Sequence, residues 1–331
     1  MIKRVMRTNC RQLIRSVSLL LAVCVVSFTL IVSSPIDPVE AYLGPDKIVS
    51  EEHRQSIVEY WGLDKEPLER LEIWFTNLLH GDLGESITYR QPVKRVIAER
   101  FAASLRLMLA AWCFSGLLGF TVGLFSGMYE GALFDKLVKG FCLLLASSPA
   151  FWIGILMLLL FVVKLQWFPM GLSVPLGMLA SDVTLGDRLY HLILPAFTLG
   201  ITGISSIAMH TREKMITIRH SEYMLFAKAR GETRWQALHR HGLRNVALPA
   251  ITIQFSSFSE LFGGSLLAEQ VFSYPGLGNA TVSAATKGDV PLLLALAMCS
   301  AIFVFAGNLI ANLLYGILDP RIRHSMEGDY A

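Results

Sequence analysis

Apolar runs about 20 residues long constrain this chain more than any other feature, because a helix of that length crosses the ~30 Å hydrocarbon core of a bilayer with its backbone hydrogen bonds made internally. Six such runs lie near residues 13–32, 103–128, 138–163, 191–210, 246–268 and 291–318 of the 331-residue chain. Composition agrees: 53% of the residues are hydrophobic, only 17% are charged, and the charges are clustered, a pattern outside the ordinary soluble range. The expected fold class is all-α, a polytopic membrane bundle of six transmembrane helices.

Lys and Arg then orient the bundle. Lys3, Arg4, Arg7, Arg11 and Arg15 precede the first run; Arg212, Lys214, Arg219, Lys228, Arg230, Arg234, Arg240 and Arg244 lie between the fourth and fifth; Arg321 and Arg323 follow the sixth. With six spans all three clusters fall on one side, and the positive-inside rule makes that side the cytoplasm, both termini included. A basic start followed by LLLAVCVVSFTLIVSS also resembles a secretory signal peptide, but its length and the want of a clear A-x-A site favour an uncleaved span. The expected organisation is a cytoplasmic N-terminus and first span over residues 1–32, an external segment over 33–102, a five-helix core over 103–318 with a cytoplasmic loop at about 211–246, and a cytoplasmic tail over 319–331.

Within the external segment, LERLEIWFTNLLHGDLG places Leu68, Leu71, Ile73, Trp74, Leu78 and Leu79 largely on one side of a helix that ends at Gly81. Such a helix covers the tops of the spans, or forms part of a surface that receives a delivered substrate; both readings stand. In the second run Ala111, Ser115, Gly119, Gly123 and Gly127 recur every fourth residue, with Gly131 continuing the series, so another helix can approach closely along that seam. The five cysteines include no C-x-x-C pair and four of them sit in apolar runs, which suits packed thiols.

Polar residues at membrane depth are costly and therefore informative. The fifth run places Ser256, Ser257, Ser259 and Glu260 beside Gly263 and Gly264. A carboxyl group in hydrocarbon costs about 2–3 kcal/mol even on the lenient insertion scale, so Glu260 is expected to face the bundle interior or water. Its alternatives are a place on a translocation path with Ser256, Ser259 and Gly263, or an interhelical hydrogen bond. In the third run Ser148 precedes Pro149, which removes a backbone donor and frees carbonyls; a kink or a path element follows.

The basic segment AKARGETRWQALHRHGLRN, Ala227 to Asn245, has shape as well as charge. Gly231 suits the left-handed residue that closes the helix SEYMLFAKAR, and Thr233 with Gln236 three residues on forms a T-x-x-Q capping box for a second helix carrying Trp235 and Leu238 on one side. A helix, tight turn and helix would project as a knob. Nucleic-acid binding is disfavoured, because the knob is tied to the bilayer at both ends and has no aromatic interleaving beyond Trp235. His239 and His241 diverge on a helix, so no paired metal site is expected there.

This segment resembles the cytoplasmic coupling loop of importer permeases of the ABC class, in the peptide and nickel branch, whose loop reads approximately A-x-A-K-G, nine residues, then H-x-L-R-N-x-x-x-P. Ala227, Ala229, Gly231, His241, Leu243, Arg244, Asn245 and Pro249 stand in register, with Lys228 and Arg230 exchanging the usual order of the two basic residues. WGLDKEP, GDLGESI, SSPAFW, ELFGGSLLAEQVFSYPGLG and LDPRIR resemble further stretches of the family in the same order. The resemblance implies a second homologous permease, two ATP-binding subunits that carry ATP and Mg, an extracytoplasmic solute-binding protein, and residence in a bacterial inner membrane. It implies that Ala227 and Gly231 keep the coupling helix narrow, that Tyr223, Phe226 and Trp235 supply apolar contact, and that Lys228, Arg230 and Arg234 make rim contacts, with His241, Arg244 and Asn245 completing the loop.

The chain itself has no G-K dipeptide and hence no phosphate-cradling loop, and it is not expected to be an enzyme or to bind a cofactor or metal. Short peptides or nickel, free or chelated, are the expected substrates, with opines and other small amphiphiles behind. A proton-coupled secondary transporter using Glu260 is the rival class; the want of an internal repeat weakens it.

Overall fold

The computed structural model describes residues 18–30, 33, 39, 50–60, 64–175, 177–178 and 182–318, with side chains at 53, 57, 60, 259 and 311–318 left aside. The basic N-terminal segment, the start of WGLDKEP, the LDPRIR ending after Leu318 and the side chain of Ser259 therefore lie outside the described residues. Contacts divide the chain into two units, Met1–Ala103 with Gly276–Ala306 and Ser104–Pro275 with Gly307–Ala331.

In the first unit α1 (Ser18–Leu30), α2 (Glu51–Tyr60) and α3 (Pro67–Leu79) precede a two-strand hairpin of β1 (Glu85–Ser86) and β2 (Gln91–Pro92), which leads into α4 (Val93–Met128). After the second unit come α12 (Leu277–Thr286) and α13 (Val290–Leu318). Phe28, Val290 and Leu294 form a small core on which Leu71 and Trp74 of α3 pack. The hairpin is held by Asp289, which is fully buried just before α13. Its carboxylate accepts from Ser86 Oγ at 2.6 Å, from the Thr88 N–H at 2.8 Å and from the Leu292 N–H at 3.2 Å. One carboxylate thus caps α13 and clamps the GDLGESI turn, satisfying donors that would otherwise be orphaned.

The second unit is the helix bundle: the rest of α4, then α5 (Leu133–Ser147), α6 (Ala150–Met157) with a wider-turned extension Leu158–Lys164, α7 (Leu185–Arg219), α8 (Glu222–Ala229), α9 (Arg234–Ala237) with a second wide turn Leu238–Gly242, α10 (Leu243–Ser256) and α11 (Phe258–Val271). The small-residue seam packs on α7. A side-chain carbon at Gly119 would stand 2.9 Å from Ile207 Cβ, one at Gly127 2.7 Å from the Arg212 carbonyl oxygen, and one at Gly200 2.8 Å from the Ala111 carbonyl oxygen. A side chain at these positions would clash, so the approach requires Gly on one of the two helices, the device by which helices associate where lipid offers no hydrophobic drive. Gly131 leaves the series: its surroundings are open, and its N–H instead donates to Asp135 at 2.9 Å.

Position along the seam rises together on both helices, so α4 and α7 run parallel and the chain between them must cross back. Val138 and Cys142 meet Ala208, Leu145 and Ile153 meet Ile201 and Ile204, and Val162 meets Leu194. This order runs antiparallel to α7, although α5 and α6 bend by 109° at Ser148–Pro149. The third apolar run is therefore broken at Ser148–Pro149 into two helices, and the kink expected at Pro149 exceeds a right angle. By length and apolar character the described residues hold three unbroken membrane-length helices, Val93–Met128, Leu185–Arg219 and Val290–Ile310, or four where the bent pair is counted as one span. The count of six is thus more than helix length and apolarity carry: the described part of the first run is the shorter helix α1, and the fifth run is interrupted at Ser257, which ends α10 and caps α11. These two helices still run antiparallel to α4. Gln254 and Trp112 exchange side-chain to carbonyl hydrogen bonds at 2.6 and 2.8 Å, and Ser104 Oγ donates to Glu269 at 2.5 Å.

Candidate coupling knob and path residues

The fourth span does not end where its apolar run does. α7 begins on a Thr184–Asp187 capping box and continues unbroken to Arg219, so Arg212, Lys214 and Arg219 stand on helix rather than in a loop. The loop expected from about residue 211 begins at His220. Arg212 is bound bidentately by the fully buried Asp135, which also accepts from Ser126 Oγ at 2.6 Å. Arg219 pairs with Glu130 and donates to the Met128 carbonyl at 3.2 Å. Two of the charges that signal orientation therefore also fasten the α4–α5 turn to the end of α7.

Beyond that end the chain folds into the knob. α8 closes in the turn that its Gly promised: Gly231 has φ 81°, its N–H donates to the Lys228 carbonyl at 3.0 Å, and the Glu232 N–H donates to the Ala227 carbonyl at 3.1 Å. These are the two bonds of a Schellman closure, which needs left-handed backbone at one residue. Thr233 Oγ1 accepts from the Gln236 N–H at 3.4 Å while Gln236 Oε1 accepts from the Thr233 N–H at 3.0 Å, completing the capping box.

The knob's base is apolar. Met224, Ala227, Ala237 and Leu238 pack with Leu124, Met128, Met215, Ile218 and Val246. Ala227 thus faces inward at 3% exposure, in the base rather than on the outer face. Leu238 joins it at 2%, whereas Trp235 is half-exposed and rests edge-on against Phe125 at 5.7 Å; the expected shared side splits because Leu238 opens the wider turn. Outward stand Tyr223, Leu225 and Phe226, the last at 74% exposure, together with Lys228, Arg230, Arg234 and Arg244. Glu222, Tyr223, Phe226, Ala227, Arg230 and His241 line an open cleft of about 410 Å³. Asn245 Nδ2 donates to the His241 carbonyl at 3.1 Å and to the Tyr223 hydroxyl at 3.3 Å, tying the start of α8 to the wide turn.

Glu232 is a residue that sequence reasoning passed over. Its side chain is only 9% exposed, with Arg240 at 3.8 Å, His241 at 3.4 Å and Arg230 at 4.0 Å. Its Oε2 has no hydrogen bond of good geometry, so the attraction is one of charge. A lone acidic residue inside a basic run was the available signal.

The expected path residues are placed less uniformly. Ser148 is half-buried and donates to the Leu144 carbonyl at 2.8 Å; Ser256 is half-buried and donates to the Ile253 carbonyl at 2.8 Å; Pro149 is exposed. Both hydroxyls thus turn back onto their own helices. Glu260 does not face this chain's bundle interior: it is exposed on α11, on the same uncovered face as Gly263. The buried carboxylate of α11 is Glu269, nine residues on, at 0% exposure against Ser104. The motifs do come together, since Ala150, Phe151 and Gly154 share one small cavity with Gly264, Leu267 and Val271. Past α11, Tyr274 donates its N–H to the Glu269 carbonyl at 2.8 Å, and burial pushes its phenol pKa up.

Comparison with known proteins accords with this architecture. A family model described as "Binding-protein-dependent transport system inner membrane component" matches residues 119–324. The chain is 32% identical over 315 residues to the oligopeptide transport system permease protein AppB of Bacillus subtilis (strain 168), covering 95% of this chain and 98% of that one. It is 33% identical over 317 residues to the di/tripeptide transport system permease protein DppB of Pseudomonas aeruginosa (strain UCBPP-PA14), covering 91% and 94%. It is 32% identical over 322 residues to the dipeptide transport system permease protein DppB of Escherichia coli (strain K12), covering 92% and 95%. A membrane helix bundle with a capped knob at one end, matched by this model over most of its length, belongs to the family of binding-protein-dependent transport system inner membrane components.

Proposed function

We propose that this chain is a membrane-spanning subunit of an ATP-driven importer of short peptides, paired with a second, similar permease and served by an extracytoplasmic binding protein. Two separate ATP-binding subunits, which hold ATP and Mg, would drive it from the cytoplasmic side, where the basic segment and both termini lie. The observation that carries the reading is the knob: two short capped helices on an apolar base continuous with α4 and α7, with Tyr223 and Phe226 left outward and Trp235 half-exposed. A body fixed in this way moves as one piece with the spans, so a push on its outer face tilts α7 and α4 rather than deforming a loop. The aromatic side chains would fill a groove in the ATP-binding subunit, and Lys228, Arg230, Arg234 and Arg244 would set register at its rim.

The peptide substrate class rests on the names of the three relatives above. Nickel and small amphiphiles take a lower place because those relatives are named for peptides, and proton coupling through Glu260 does so because a binding-protein-dependent system draws its drive from partners. The uncovered face of α11 with Glu260 and Gly263, beside the break at Ser148–Pro149 and the interruption after Ser256, would line the path, with Ser259 on the same helix. The test is uptake in vesicles containing the complete set of partner subunits. ATP-dependent accumulation of labelled di- and tripeptides, lost when the binding protein is withheld, is expected. Uptake driven by a proton gradient without the ATP-binding subunits would refute the mechanism, and ATP-dependent uptake of nickel without peptide would replace the substrate.

A further inference from the structure

The amphipathic helix α3 has two apolar surfaces, of which the core formed by the described residues of its own unit covers one. Leu71 and Trp74 pack on Phe28, Val290 and Leu294. Leu68, Phe75 and Leu79 do not, at 78%, 38% and 73% exposure. With successive residues about 100° apart, Leu68, Phe75 and Leu79 form one stripe roughly a quarter turn around the helix from Leu71 and Trp74. Glu69, Glu72, Thr76 and Asn77 occupy the remaining sector, interrupted by Ile73, and all are exposed. The helix thus presents three directions, to protein, to something apolar and to water.

The place where α3 docks says what the apolar neighbour is. Val290 is the first residue of α13, a helix long and apolar enough to cross a membrane, and Leu294 is one turn in. A helix resting on that first turn lies at the boundary between headgroups and acyl chains. Phe28 puts it at the end of α1 as well, an apolar helix whose Leu30, turned away from that core, is 68% exposed, as a lipid-facing side chain would be. The Asp289 clamp with Ser86 and Thr88 marks the polar side of the same boundary.

We propose that α3 is an interfacial helix, seated on the first turn of α13 with Leu68, Phe75 and Leu79 immersed in the lipid boundary. A short amphipathic helix binds there by its buried apolar area while its polar face stays wet. It would fix the depth at which the neighbouring hairpin stands above the membrane. The partner is thus the lipid surface and not the binding protein or the second permease.

Single cysteines introduced as Leu68→Cys, Phe75→Cys and Leu79→Cys, and as Glu69→Cys and Thr76→Cys for comparison, would carry a nitroxide label. The full-length chain, with its native cysteines replaced by Ser, would be assembled with its partner subunits in phosphatidylethanolamine and phosphatidylglycerol vesicles. Collision with oxygen, which partitions into lipid, would be compared with collision with a water-soluble nickel chelate. The oxygen-to-nickel ratio is expected to be several-fold higher at 68, 75 and 79 than at 69 and 76. Equal ratios at all five positions would overturn the proposal, since the stripe would then lie in water. Immobilised labels at 68, 75 and 79 that neither reagent reaches would overturn it in favour of a protein partner.

Discussion

Gly231 carries a conformation that other residues resist. At φ 81° a β-branched side chain meets its own backbone, at a cost of about 1–2 kcal/mol, while Asn tolerates the region. Gly231→Val is expected to abolish ATP-dependent uptake with normal membrane insertion, and Gly231→Asn to keep a substantial part of it; vesicle uptake at matched protein levels checks the pair. Unchanged uptake by the Val variant would remove the knob from the transport cycle. Glu232 acts through charge. Replacing it by Gln leaves Arg230, Arg240 and His241 facing one another without their shared carboxylate. The expectation for Glu232→Gln is a several-fold fall in substrate-stimulated ATP hydrolysis with basal hydrolysis retained, read from phosphate release by the assembled complex. Gly231 was legible because a Gly before a T-x-x-Q box has few other meanings. Glu232 was not, because its role depends on where the wide turn brings Arg240 and His241.

At the scale of elements, the seam and the Asp135 latch hold the lever together. A side-chain carbon at Gly127 would stand 2.7 Å from the Arg212 carbonyl oxygen, so Gly127→Leu must push α4 from α7. Overpacking of this kind costs about 1–3 kcal/mol, and a lower thermal midpoint in detergent is the expected reading. Asp135→Ala would strand Arg212, whose guanidinium is largely buried. Removing one partner of a buried pair costs about 3–5 kcal/mol, so a larger drop than for the seam variant is expected in the same melt; an equal midpoint to the unaltered chain would show that the pair contributes nothing. The seam could be read from its fourfold repeat. The latch could not, because Asp135 and Arg212 are far apart in sequence and each looks like an ordinary charge at the end of an apolar run.

For the whole molecule, the uncovered face of α11 is the decisive surface. If Glu260 lines a path between two permeases, Glu260→Gln lowers peptide uptake while knob-dependent ATP hydrolysis persists; normal uptake would return Glu260 to the lipid or partner boundary. Gly263→Cys offers a second reading, since its surroundings are open in the single chain. A water-soluble thiol reagent is expected to reach it in the assembled transporter, and complete protection there would exclude an aqueous path at that position. The sequence by itself determined the all-α membrane class, the packing seam and the caps of the knob, because each depends on residues close together along the chain and on the period of one helix. Only the tertiary structure decided that the third run is broken by a bend of 109°, that α7 carries on to Arg219, and that Glu269 rather than Glu260 is the carboxylate of α11 that its neighbours enclose. Those outcomes depend on which face of each helix its neighbours cover, and periodicity along one segment holds no record of what stands across from it.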